Sequence, residues 1–203
     1  MRPNNLPYIV EPMTLTDVPA VVVLEKLVFT SPWSRYAFEH EIQHNPNACF
    51  LVLHEQPAEL AAPVERAQQP LLGYGGFWLI LDEAHICTLA VHPDWRGRSL
   101  GELLLVQLID QAFALNATVL TLEVRASNCA AQSLYEKYGL VRVGGRKGYY
   151  TDNHEDALIM TAEHIQGAAF QQRLQQHRGA LWEKLLAEEP EHGPCFQQGS
   201  WSA

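Results

Sequence analysis

Arg96-Gly97-Arg98-Ser99 sits between a strand candidate that stops at His92-Pro93 and a leucine-dense helix running from Leu100 to about Leu115. Pro93 cannot donate to a sheet ladder, so the strand ends there. A glycine-containing turn that opens straight into a helix leaves several backbone N–H groups unpaired and pointing one way. The helix dipole adds positive potential at the same spot. A phosphate or pyrophosphate is the natural occupant of such a place, and Arg96 and Arg98 add side-chain donors and charge. A bland strand-to-helix turn has the same composition, so the turn needs corroboration from elsewhere in the chain.

That corroboration comes from a set of motifs. Arg96-Gly-Arg-Ser-Leu-Gly101 resembles the pyrophosphate loop of the GNAT acetyltransferases, Gln/Arg-x-x-Gly-x-Gly/Ala. Leu122-Glu-Val-Arg-Ala-Ser-Asn128, Leu134-Tyr-Glu136 and Tyr138-Gly139 resemble the bacterial ribosomal-protein alanine N-acetyltransferase (RimI) branch of that family. Ser31-Pro-Trp-Ser34 and Asp156-Ala-Leu-Ile-Met160 fit the same branch. The resemblance spans roughly Tyr8 to Met160, and Glu-Val-Arg-Ala-Ser-Asn is its most specific piece. One departure stands out: the family's first loop glycine is Ser99 here. If that position requires φ > 0, the added Cβ costs about 1 kcal/mol, while the hydroxyl could donate to a phosphate oxygen.

The resemblance implies acetyl-CoA as co-substrate, with Arg96, Gly97, Arg98, Ser99, Leu100 and Gly101 around its pyrophosphate. It implies that the backbone of Leu89, Ala90 and Val91 meets the acetyl carbonyl and pantetheine arm, and that Asn128 contacts the cofactor. Glu123, on the polar face of its strand, takes the general-base role by the same resemblance; without it, Glu123 reads as an ordinary solvated carboxylate. An N-terminal α-amine has a pKa of about 7.7–8.0, so one carboxylate acting through a water is base enough, whereas a lysine near 10.4 needs more. Tyr135 follows Asn128 by two helical turns, which puts both on one face. The family's tyrosine here serves the departing sulfur. Full transfer from a phenol near 10 to a thiolate near 8.5 is uphill by about 2 kcal/mol, so a strengthening hydrogen bond describes the step better; plain core packing is the alternative. Trp33 divides evenly between acceptor wall and core plug, and Tyr149 and Tyr150 could touch the acceptor. His85 and His92 read as structural, because no spacing of His, Cys and carboxylate points to a metal.

The elements that must position these residues follow from punctuation and period. Tyr8–Met13, Ala48–His54, Leu71–Leu81, His85–Val91 and Thr118–Arg125 read as strands; the glycines of Leu71–Leu81 suggest a bulge or a close backbone approach. Leu140–Val143 and Asp156–Thr161 form a final strand pair, with Gly144–Tyr150 between them. Helices are expected over Val18–Phe29, from Ser34 as N-cap to about His44, over Leu100–Leu115, and over Cys129–Tyr138 with Gly139 at C′. The polar insert Glu55–Gln69 has no period and reads as a loop. Phe170, Leu174, Leu181 and Leu185 share one stripe of a last helix, Ala168–Ala187, that packs back on the domain or meets a partner; from Glu188 the chain reads as frayed.

The fold class is therefore α+β (mixed α/β), a GNAT-like fold by resemblance. A mostly antiparallel sheet of about six to seven strands fills residues 1–161, and a helical extension fills 162–203. At 203 residues, 47% hydrophobic and 18% charged, the chain supports a real core. A formal charge of −9 disfavours nucleic acid and acidic membranes and suits a basic peptide. Cys49, Cys87, Cys129 and Cys195 are too dispersed for a disulfide framework or a zinc site. No apolar run is long enough to span a bilayer, and the first residues lack a signal-peptide core, so a cytoplasmic protein is expected. The expected activity is transfer of acetyl to the N-terminal amine of a protein; by the branch resemblance, the acceptor is the alanine of the eighteenth small-subunit ribosomal protein. A small-molecule amine acetyltransferase and a non-catalytic acyl-CoA-binding module are the alternatives, and oligomeric state is left open.

Overall fold

The computed structural model describes residues 6–56 and 69–187. Of the expected loop Glu55–Gln69, residues 57–68 lie outside the described residues, as does the ending from Glu188, while Glu55 is the last residue of the second strand. Seven strands, β1 (Tyr8–Pro12), β2 (Ala48–Glu55), β3 (Leu71–Ile80), β4 (Glu83–Val91), β5 (Val119–Arg125), β6 (Val141–Tyr150) and β7 (Glu155–Glu163), form one sheet in the order β1-β2-β3-β4-β5-β7-β6. Among the described residues five α-helices accompany them, α1 (Val18–Val28), α2 (Arg35–His44), α3 (Leu100–Ala114), α4 (Cys129–Lys137) and α5 (Ala168–Ala187), with a short 3-10 turn at Pro93–Trp95. Every strand pair is antiparallel except β4 with β5, which needs the α3 crossover to run parallel.

That parallel pair is short. Glu83–Ile86 run beside Val119–Leu122, and beyond them the strands part. The cause is a bulge in β4: Phe77 faces Ile86 and Gly76 faces Thr88, which leaves Cys87 as the extra residue and bends the strand. Meanwhile β5 stays paired with β7 as far as Arg125 opposite Ala157. One strand is held and the other bent, so a gap opens in the middle of the sheet. The glycines of β3 carry both expected meanings. Gly76 faces the bulge, and a Cβ there would sit 2.2 Å from the Phe50 ring, while a Cβ on Gly73 would sit 2.7 Å from the Ala90 carbonyl.

Each face of the sheet has its own core. Leu103, Leu104, Leu105, Leu108 and Ile109 of α3 are fully buried on one side, together with Leu120 of β5 and Leu174, Leu181 and Leu185 of α5. On the other side Val18, Val21 and Leu24 of α1 and Phe38 of α2 pack on Phe50, Val52, Tyr74 and Ala90. The α5 stripe thus lies against its own domain, pinned further by an ion pair between Arg178 and Asp110.

One element differs from its expectation. The stretch Gly144–Tyr150 was expected to connect two strands, and instead β6 runs on through it to Tyr150. Three glycines and a lysine have low strand propensity, but β7 supplies ladder partners across register shifts at Arg142/Gly144 and Arg146/Tyr150.

Candidate active site

The anion-receiving end is built as its residues require. Gly97 has φ +81° and Ser99 has φ +57°, so the serine occupies a left-handed position with a Cβ. Ser99 is also the N-cap of α3, yet its side chain makes no capping bond. The first helical bond runs from the Leu103 N–H to the Ser99 carbonyl at 2.9 Å. The N–H groups of Leu100, Gly101 and Glu102 therefore precede the helical ladder and are the free donors of the helix start. The two arginines separate. Arg96 lines the cleft, its Nε donating to the Val91 carbonyl at 3.4 Å. Arg98 stacks over Trp95 at 4.8 Å and stays outside the lining, its charge engaged with an aromatic face.

Where the strands part, Glu123 is the first β5 residue beyond the parallel ladder. Its side chain is 11% exposed, with Oε2 accepting from His85 Nε2 at 2.6 Å and Oε1 accepting from the Arg146 guanidinium at 3.0 Å. His85, expected to be structural, is held against the candidate base, and its ring also meets Trp78 edge-on. Sequence could not reveal that pairing, because it depends on His85 lying opposite Thr121, one diagonal step from Glu123.

Tyr135 projects from α4, which begins at Asn128, whose side chain accepts from the Ala131 N–H at 3.2 Å, and closes at Gly139 with φ +89°. The Tyr135 ring is 7% exposed, and burial, aided by neighbouring Tyr150, pushes its phenol up to about 12. The group thus keeps its proton at any physiological pH. It can donate to a developing anion but cannot act as a base.

The opposite end of the cleft is aromatic and acidic. Trp33 stacks on Trp78 at 5.7 Å, leans on Phe38 and Phe50, and still lines the cleft. Its backbone N–H donates to Glu25 Oε1 at 2.9 Å. Tyr149 and Tyr150 meet edge-to-face, with the Arg125 guanidinium 3.8 Å over the Tyr150 ring. Arg125 also grips Asp152 and Glu155, and Asp152 in turn accepts from Thr30 at 2.6 Å, joining the α1–α2 loop to the β6–β7 turn. Glu25 went unnoticed in the sequence although the signal was there: it falls on the Val18–Val21–Glu25–Val28 stripe of an apolar helix.

All of this surrounds an open cleft of about 1390 Å³, lined by every candidate catalytic, cofactor-binding and acceptor residue from the sequence except Arg98. A bent strand, a helix start with free donors, a carboxylate and a protonated phenol thus line the same cleft. Residues 18–140 match the Acetyltransferase (GNAT) family. The chain is 44% identical over 148 residues to a candidate ribosomal protein bS18-alanine N-acetyltransferase of Bacillus subtilis, covering 73% of this chain and 90% of that one. It is 35% identical over 150 residues to the ribosomal protein bS18-alanine N-acetyltransferase of Salmonella typhimurium, covering 73% and 92%. The crystal structure of the ribosomal-protein-S18-alanine N-acetyltransferase from Escherichia coli superposes with a TM-score of 0.64 at 31% identity, over 77% of this chain and 94% of that one. The chain belongs to the GNAT acetyltransferase family and is an N-acetyltransferase.

Proposed function

We propose that this enzyme moves the acetyl group of acetyl-CoA to the N-terminal α-amine of a protein in the cytoplasm, and that its acceptor is the alanine-starting ribosomal protein bS18. The observation that carries the reading is the convergence of Glu123 and Tyr135 on the gap where β4 and β5 part. The free N–H groups at the α3 start, with Gly97 and Ser99 in left-handed backbone and Arg96 at the lip, fit the diphosphate of the coenzyme. Acetyl-CoA supplies the activated acyl group, a thioester.

The chain's own residues do the rest. Glu123, held in place by His85 and Arg146, takes the proton of the incoming amine through a water. An α-amine is already partly neutral near pH 7, so this assistance is sufficient. Backbone groups of Leu89, Ala90 and Val91, freed from β5 by the bulge, line the gap where charge develops on the carbonyl oxygen. The Tyr135 hydroxyl donates to the departing sulfur. With its phenol near 12, complete proton transfer to a thiolate near 8.5 would be uphill by about 5 kcal/mol, so Tyr135 acts through a hydrogen bond that strengthens as charge builds. Trp33, Tyr149 and Tyr150 wall the acceptor end.

The test is mass spectrometry of a basic, alanine-starting peptide incubated with acetyl-CoA and the enzyme, beside the same peptide with a blocked N-terminus. A single acetyl addition on the free peptide and none on the blocked one is expected. Acetylation of both, at lysine, would overturn the reading.

A further inference from the structure

Two polar atoms on the α1 side of the cleft are buried without a hydrogen-bond partner: Glu25 Oε2 and Thr88 Oγ1. Glu25 is 3% exposed, and only its other oxygen is engaged, by the Trp33 N–H. Thr88 follows the bulged residue Cys87, on the stretch of β4 that has left β5. Both residues line the cleft. Glu25 also reaches the neighbourhood of Cys87, the residue before Thr88, closely enough to contribute to raising that thiol's pKa, although burial is the larger cause. An unpaired carboxylate oxygen in such a place is costly, which makes it a site awaiting a donor.

We infer that Glu25 Oε2 and Thr88 Oγ1 form the subsite for the first peptide unit of the acceptor. The carboxylate oxygen accepts from the N–H of that peptide unit, and the threonine hydroxyl donates to its carbonyl. The inference rests on the N-terminal acetylation proposed above and adds a selectivity to it. An acceptor with a peptide unit next to its amine satisfies both buried atoms, whereas a simple amine, which has neither the N–H nor the carbonyl of that unit, leaves both unpaired. Sites built around such pairs discriminate against ligands that lack the matching groups. Glu25 thereby also links recognition to the wall of the cleft, because its other oxygen fixes the backbone of Trp33.

Two conservative variants isolate the two atoms. Glu25→Gln keeps an oxygen for the Trp33 N–H and replaces the free oxygen by a donor. Thr88→Val keeps the shape and removes the hydroxyl. Each is assayed at saturating acetyl-CoA with an alanine-starting peptide and with 2-aminopropane, which has the same amine and methyl group but no peptide unit. Comparing the ratio of the two kcat/KM values across variants cancels the difference in amine pKa. The peptide-to-amine ratio is expected to fall about tenfold in each variant, with the KM for acetyl-CoA unmoved. An unaltered ratio, whether both acceptors lose equally or neither loses, overturns the subsite and leaves a structural role. Failure of the wild-type enzyme to acetylate the peptide at all overturns the proposed function and the subsite with it.

Discussion

Ser99 carries a Cβ at φ +57°, a conformation in which glycine is at ease and serine is not. Its hydroxyl makes no capping bond to offset this, so Ser99→Gly should stabilise the fold by about 1 kcal/mol, read as a shift in the urea midpoint. The cost is tolerated because the same backbone turns the α3 donors toward the cleft. At Glu123 the expectation concerns rate. Glu123→Gln should lower kcat by roughly 10²–10⁴-fold at neutral pH while acetyl-CoA binding, followed by calorimetry, stays as it was; unchanged turnover would remove Glu123 from the base role. Tyr135→Phe should cost about a hundredfold in kcat with binding preserved, and loss of binding alone would reduce Tyr135 to packing.

Among the elements, β4 and α4 decide the geometry. The bulge at Cys87 opens the sheet opposite Gly76, where a Cβ would collide with Phe50. The start of α4 is tied to the start of β7 by Glu155, whose Oε1 accepts from the Ser127 N–H at 2.6 Å. Hydrogen bonds from the Ser127 side chain and backbone pull the Glu155 carboxyl down from 4.5 to about 2. A pKa lowered in the folded state means that the tie stabilises the protein fully above about 4.5 and is lost as pH falls toward 2. Urea midpoints measured between those pH values should decline more steeply for the wild type than for Glu155→Gln; parallel curves would deny Glu155 this part.

For the molecule as a whole, α5 completes the core that α3 begins on one face of the sheet. Leu181 is 2% exposed in the core shared with α3, and the Arg178–Asp110 pair ties the same two helices. Leu181→Ala should lower unfolding stability by about 2–4 kcal/mol. Because α5 buries its stripe away from the cleft, kcat/KM measured well below the melting temperature should be retained, and a parallel loss of activity would make α5 part of the site. The 90% coverage of the Bacillus subtilis relative against 73% of this chain leaves room for such an extension.

The residues by themselves were enough to locate the α3 turn, the alternation of β5 that turns Glu123 toward the polar face, the capped helix that bears Tyr135, and the apolar stripe of α5. These are local matters: a proline stops a ladder, an asparagine or glycine ends a helix, and a period assigns a face. Three features were decided only by the tertiary structure. Strand β6 extends through glycines because β7 lends it partners. His85 reaches Glu123 because a short parallel register sets them diagonally. Arg98 leaves the cleft for the face of Trp95. Each depends on atoms brought together from distant parts of the chain or on the direction a side chain takes in the finished fold, and neither is encoded in any local run of residues.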